Sequence, residues 1–482
     1  MDSVSSARRV GPLRSLLGLL AALFFITGCG GGSGGDSVYD DAGNPIQSGG
    51  QVAFASGVNR APAVNFTVSE LIFNQNSNVL PFADAVVTDD QDDFTGGTLS
   101  VSQDAALVED VEDVSLFATS TIDIGQVSGD GTPNLSVALN ANATPANVAL
   151  FLQQLEANST PGARLGEGDF QVVLDDGQGL QGHQSRSFLV LGEGGLRLTV
   201  NPAQPVAGEN YQTITAAIAR VCDQTGAAGS LITVTAGDYT AEDLIDVNSD
   251  PDLEGLRLRG ANAGNPAGVL PAGEPLTISL GYSWVASFRT FASGVTFDGF
   301  AITAPESLDY GIVVQDSDVV VRNNILDTQN GEAVGVYVFE TGGQFILRQN
   351  HFVGFASGFV SNTTADASVV VVGNLIHDGV SGIRLIPSPR DIVIEFNSLF
   401  GNSLRDMEIN VNGETISGIH RNDLTSDVNV TGWSDPAPGG MLDVSNNYWR
   451  QGAEPGPQQV HGSIPMTISP HSPTPFTNFP GP

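Results

Sequence analysis

The chain has 482 residues and carries 53 Asp and Glu against 18 basic residues, all of them arginine, for a formal net charge of −35. A chain this acidic repels bare nucleic acid and other polyanions overall and attracts divalent cations, and without lysine it has neither a Schiff-base amine nor a lysine general base. Its two cysteines, Cys29 and Cys222, cannot supply a disulfide framework, so stability must come from core burial or metal ions, in a chain long enough for two or more domains.

The first element is a positive stretch with Arg8, Arg9 and Arg14, followed by an apolar run from Leu16 to Ile26. That run is shorter than the roughly 20 residues a spanning helix needs and has the form of a secretory signal peptide. The four residues Ile26-Thr27-Gly28-Cys29 resemble the lipobox of bacterial lipoproteins. The resemblance implies cleavage before Cys29, a diacylglycerol on its thiol and further acylation of the new amino group. Two or more acyl chains anchor stably where one holds only marginally. Residues 1–28 are then the signal peptide and 29–58 a Gly/Ser-rich tether. Gly30, where many inner-membrane lipoproteins carry Asp, implies the outer membrane or cell surface by the same resemblance. An ordinary signal peptide with a chance cysteine is the alternative.

Residues 59–198 read as an all-β sandwich: short alternating runs such as "FQVVLDD" and "SFLVLG" are separated by Gly, Asp and Asn clusters. "ATPANVALFLQQL", 143–155, reads as a short helix. Together with "NRAPAV", "VVTDDQDDF" and "GDFQVVLDDGQG", these pieces resemble the cadherin-like repeats of bacterial surface proteins. Acidic clusters at the ends of such domains can bind calcium, and clustered Asp oxygens suit that ion. The matching residues are Asp89, Asp90, Asp92, Asp93, Asp175 and Asp176. A solvated acidic loop is the alternative.

From 199 to 482 the chain repeats. In "VVVRNNIL", "FILRQNHF", "VVVGNLI", "IVIEFNSL", "SGIHRNDL" and "LDVSNNYW", an asparagine recurs at Asn324, Asn350, Asn374, Asn397, Asn422 and Asn447, at intervals of 26, 24, 23, 25 and 25. A period of this size signals a solenoid, and apolar runs of strand length make it a β-solenoid. One residue per turn stacks on its copies about 4.8 Å away. Asparagine suits such a column because it tolerates a left-handed backbone and its amide can bond the next copy. This ladder resembles the right-handed parallel β-helix of the pectin-lyase-like superfamily. The amphipathic stretch "NYQTITAAIARVC", with Ile214, Ala217, Ile218 and Val221 on one face, followed by a V-x-x-G-x-Y strand, resembles the family's N-terminal cap. Cys222 ends that stretch as packing. The Pro-rich tail after Trp449 is placed to cover the other end.

Ile312, Val336, Phe359, Ile383 and Met407 share one strand phase, at intervals of 24, 23, 24 and 24. Strand alternation sends them inward and their neighbours outward. The outward stripes are Val313, Tyr337, Val360, Arg384, Glu408 and, beside them, Gln315, Phe339, Asn362, Ile386, Asn410. Of these, Tyr337, Phe339, Asn362, Arg384, Glu408 and Asn410 combine aromatic, amide and charged groups as sugar-binding surfaces do, and in the resembled family this face often lines the substrate groove. The alternative is that a loop covers the rings and that Arg384 and Glu408 form a surface ion pair. Lyases of the fold use an arginine or lysine base beside carboxylate-held calcium, and pectinesterases use two aspartates and an arginine; Arg384 with Glu408 matches either only in part. His351, His377 and His420 lie near the asparagine turn but out of phase with one another, so no catalytic or metal-binding histidine group is expected. The reading is a lipid-anchored surface protein whose β-helix binds a polysaccharide or a cell-surface protein without catalysis. Polysaccharide lyase or hydrolase is the alternative.

Overall fold

The computed structural model describes residues 59–467 apart from short stretches, the longest being 105–113, 265–277, 433–441 and 450–459. Cys29, the signal segment, the tether and Asp92 lie outside the described residues. The chain divides into two compact units, one drawn from 1–71, 78–160 and 167–189, the other from 72–77, 161–166 and 190–482.

The first unit is a β-sandwich. One sheet runs Glu70–Asn74, Gln181–Leu191, Gly166–Asp175, Thr98–Asp104, Leu135–Leu139 and Gly125–Ser128. A smaller antiparallel sheet joins Asn78–Val79, Glu156–Ser159 and Val114–Phe117. Gly166–Asp175 alternates strictly between buried and half-buried residues, so Phe170, Val172 and Leu174 enter the core while their neighbours face out. Phe170 meets Phe82 and Phe188 there, with ring centroids 5.6 and 4.4 Å away. The expected helix forms over Pro145–Gln153, capped by Thr144, whose side chain accepts from the Asn147 N–H.

The second unit is a parallel β-helix, each complete turn of which visits three sheets. Sheet 1 contains Val319–Arg322, Gln344–Arg348, Ser368–Val372, Asp391–Glu395 and Ile416–His420. Sheet 2 contains Ile325–Thr328, His351–Val353, Leu375–His377, Ser398–Phe400, Asp423–Leu424 and Tyr448–Trp449. Sheet 3 contains Ala286–Thr290, Tyr310–Val314, Val334–Phe339, Ser357–Asn362, Ser381–Leu385, Arg405–Val411 and Val428–Gly432. The period near 24 is the length of one such turn. Each sheet sends apolar side chains to the centre in columns. In sheet 3 one column is Phe288, Ile312, Val336, Phe359, Ile383, Met407 and Val428, in register and buried throughout, with Val314, Val338, Leu385 and Ile409 buried beside it. Each such burial contributes about 1.5–3 kcal/mol.

The corner between sheets 1 and 2 is the asparagine ladder. The amide of Asn324 donates to Oδ1 of Asn350 at 3.0 Å, and the same bond repeats from Asn350 to Asn374, Asn374 to Asn397, Asn397 to Asn422 and Asn422 to Asn447. Each Oδ1 also accepts the backbone N–H of the asparagine before it, as Asn374 does from Asn350 at 3.0 Å. All six side chains are buried. The backbone role expected of them belongs to their predecessors. Asn323, Gln349, Gly373, Phe396, Arg421 and Asn446 hold φ between 55° and 68°. The left-handed residue turns the chain, and the asparagine after it points inward to tie the turns together.

The second residue of four sheet 3 strands is glycine. Cβ atoms added to Gly311, Gly335, Gly358 and Gly382 would lie 2.5–2.8 Å from Leu326, Phe352, Ile376 and Leu399. These glycines therefore point inward beside the core column, and no larger residue fits unless a neighbour moves. At the first end of the β-helix, the helix Ile214–Cys222 buries Ile214, Ala217, Ile218 and Val221, as its periodicity requires. Glu242 accepts from the N–H groups of Ile214 and Thr215 and from the Thr215 hydroxyl, at 2.8, 2.8 and 2.7 Å. A carboxylate there meets donors that the first helical turn leaves free and opposes the dipole's positive end. Tyr239, from the V-x-x-G-x-Y strand, is buried and donates to the Thr235 carbonyl at 3.0 Å.

Candidate functional site

The outer face of sheet 3 carries the expected stripe in the expected register. Val313, Tyr337, Val360, Arg384 and Glu408 stand opposite one another on successive turns, Val313 and Val360 buried among their neighbours, and Arg289, not anticipated, stands on the turn before Val313. Asp246 precedes Arg289 and Asn429 follows Glu408. Phe339 and Asn362 pair in the neighbouring column.

Tyr337 is half-buried and sits at the centre of a row of rings. Its centroid lies 4.9 Å from that of Tyr310 and 5.5 Å from that of Phe339, with ring planes inclined by 32° and 30°. All three rings keep part of their surface in solvent. The Asn362 amide donates to the Tyr337 hydroxyl at 3.4 Å. The Tyr310 hydroxyl is held above its ordinary range, first by burial, then by Tyr337 and Asp309, so it stays a neutral donor. Tyr310 was not anticipated, because counting alternate residues back from Ile312 points it inward. Gly311 and Ile312 both face the core, and this break in the alternation turns the residue before them outward. A glycine recurring ahead of the inward residue in "YGIVV" and "VGVYVF" was the available signal.

Charged residues flank the rings. Arg384 Nε lies 2.8 Å from Glu408 Oε2, and Arg405 Nη1 lies 3.1 Å from Glu408 Oε1. Toward the other end Arg289 grips Asp246 with both Nε and Nη2, at 3.1 and 2.7 Å, and its guanidinium carbon lies 4.9 Å from the Phe291 ring centre. Glu408 and Arg384 are therefore bound to each other, as the ion-pair alternative required, while the rings beside them stay partly open. Asn410 lies on the strand after Glu408 and pairs with Thr431.

In the first unit, the acidic residues act as turn and cap acceptors. Asp176 is buried and accepts from the Asn59 amide at 2.6 Å and from the N–H groups of Gln178 and Leu180 at 2.7 and 3.0 Å. Those bonds hold its carboxyl below the usual range against the opposing effect of burial, the largest single influence on it. Asp175 accepts from Gly177 N–H and the Gln181 amide, Asp93 from Thr95 N–H, Asp89 from Asp90 N–H and Asp90 from Arg60 N–H. Asn59 and Arg60 are neighbours, so one short segment bonds to both acidic loops. Among the described residues no three His, Cys, Asp or Glu side chains converge as metal ligands.

His420 stands apart, bonded through Nδ1 to the Ser445 carbonyl at 3.1 Å. His351 and His377 meet on the outer face of sheet 2, with their Nε2 atoms 2.7 Å apart. They are out of phase because the contact is diagonal: His351 pairs in register with Leu375, two residues before His377.

No family model matches the chain, and no curated protein matches it. Among solved structures, the catalytic unit of a thermostable GH87 alpha-1,3-glucanase from Streptomyces thermodiastaticus strain HF3-3 is similar over 76% of this chain and 79% of that one, with 16% identity and a TM-score of 0.25. A likeness that slight says nothing about this chain's chemistry.

Proposed function

We propose that this protein is exported, anchored to a membrane at Cys29, and binds a polysaccharide along the outer face of sheet 3 without cleaving it. The observation that carries this reading is the row Tyr310, Tyr337 and Phe339, half-open on a rigid sheet beside the Asn362 amide. Aromatic faces stack on the C–H faces of sugar rings, and amide and guanidinium groups bond hydroxyls in the same plane. Strands hold such groups with little conformational cost on binding. A cell-surface protein on the same face is the second occupant to test.

Arg384, Arg405 and Glu408 do converge, and that favours an enzyme. Their bonding argues against it. Glu408 gives one oxygen to each arginine, which leaves it poorly placed as a general acid. Arg384 is closed onto Glu408 and is not a free base. Glycoside hydrolysis uses two carboxyl groups about 5–9.5 Å apart. Asp246, the other carboxylate of this column, lies six turns from Glu408, roughly 29 Å at the usual strand spacing. Screening the protein against a polysaccharide panel, for both binding and product release, separates the two: binding without product supports this reading, and release of oligosaccharides overturns it.

The first unit is proposed as a cadherin-like domain. Its acidic loops are proposed to take Ca²⁺, on the grounds of charge density and hard oxygen donors. The oxygens of Asp175 and Asp176 already accept hydrogen bonds, which argues for weak binding. Outer-membrane or surface location is proposed on the lipobox and Gly30 alone.

A further inference from the structure

The outer face of sheet 2 carries a cluster that polysaccharide binding does not use. Besides His351 and His377, it includes Asp378, whose Oδ2 lies 2.8 Å from His377 Nδ1. The Phe400 ring stacks on His377 from the next turn, with centroids 4.7 Å apart and planes within 5°. His351, His377 and Phe400 belong to three successive turns, so the cluster is a side-chain tie across them.

We propose that His351 and His377 form an acid-sensitive clamp, in which one N–H···N bond holds adjacent turns together and opens when the pair takes up excess protons. The hydrogen assignment follows from the partners. His377 Nδ1–H donates to Asp378, which leaves His377 Nε2 as an acceptor, so His351 Nε2 must carry the donated hydrogen. If His377 gains a proton, the bond survives by reversing, with His351 as the acceptor. If both rings are protonated, two N–H groups face each other at 2.7 Å, and the bond is lost. The pair therefore tolerates one extra proton and resists the second.

Geometry favours a proton over a metal between the rings. With centroids 4.9 Å apart and Nε2 atoms 2.7 Å apart, the rings lie nearly end to end. An ion between them would need about 2.0–2.1 Å to each nitrogen, forcing the rings well apart. The other titratable groups on this face are Asp327 on the preceding strand, Asp378 beside His377, and Asp423 and Tyr448 on following strands. Asp378 is bonded to His377.

His351 is pushed down to about 4 from 6.5, chiefly by burial and then by His377. The sign follows. Between pH 6.5 and about 4 the unfolded chain holds a proton at this position that the folded chain lacks. Stability from this site is full above pH 6.5 and is lost as pH falls through that window.

The test is histidine-selective NMR of the full chain in detergent micelles, titrated from pH 8 to 3.5, with melting curves alongside. His351 should stay neutral until about two pH units below an exposed histidine, and the melting temperature should fall across that window. His351→Phe should flatten the fall, and Asp378→Asn, which keeps the shape but removes the charge, should move the ring-nitrogen signals of His377 at constant fold. An ordinary His351 titration near 6.5, or equal pH slopes for wild type and a folded His351→Phe, overturns the clamp. So does one equivalent of Zn²⁺ shifting both histidines at neutral pH, which would make the pair a metal site.

Discussion

The asparagine corner and the outer face of sheet 3 are built on the same turns. At the corner every copy is the same residue, fully buried, with the same bonds to the copies before and after it. On the outer face the stacked positions read Arg289, Val313, Tyr337, Val360, Arg384, Glu408. Identical stacking suits a corner, where each asparagine must both donate to and accept from its copy. It does not suit a face that must recognise something irregular. In a solenoid the constant columns report the fold, and function is to be sought in the column that varies.

The strongest way to break this contrast is at the corner. Asn374→Ala removes the acceptor of two Asn350 donors and the amide that bonds Asn397. Leaving buried polar groups unpaired costs about 1–3 kcal/mol each, so a loss of about 3 kcal/mol is expected in chemical denaturation, with no loss of ligand specificity. A change under 1 kcal/mol would mean the ladder is not a main support. Calcium tests the proposed cadherin-like unit. Binding to the folded state alone stabilises by about 2.7 kcal/mol at a hundredfold excess over Kd, so the chain should melt in two steps, the one from the first unit rising in millimolar calcium over chelator. Identical curves remove calcium from the account.

Smaller effects sharpen the comparison. Gly373 holds φ at 68°, and its missing Cβ would lie no closer than 3.5 Å to Gln349 Cγ. Gly373→Ala should therefore cost about 1 kcal/mol through backbone strain alone, whereas Gly382→Ala meets Leu399 at 2.5 Å and should cost about 1–3 kcal/mol through overpacking. On the outer face, Arg384→Ala removes a half-exposed ion pair. Such pairs contribute about 0–1 kcal/mol, so stability should barely change while polysaccharide affinity falls.

Much of this was legible in the sequence. The ladder showed as an identity at a fixed period, and the inward column as a phase, because both follow from one residue per turn. Three features were not legible. Asparagine explains a left-handed bend and a side-chain ladder equally well, so the bend was assigned to Asn374 and its copies when it belongs to Gly373 and its equivalents. Tyr310 was lost because two successive inward residues break the alternation that located the others. The His351–His377 contact runs diagonally between turns, whereas a search by column finds only residues directly stacked. The acidic loops of the first unit show why charge density is weaker evidence than geometry: Asp175 and Asp176 serve the same turn that any Asp-Asp-Gly hairpin would form.

The central claim is that the variable column is the working surface, and Tyr337→Ala tests it most directly. The account predicts a variant that melts like wild type, losing about 1 kcal/mol or less, because the ring is only half-buried and its neighbours remain. It also predicts at least a tenfold loss of affinity for whichever polysaccharide the native protein binds. A stability loss of about 3–5 kcal/mol, the cost of truncating a core aromatic ring, or a stable variant that binds every ligand as tightly as wild type, would contradict it.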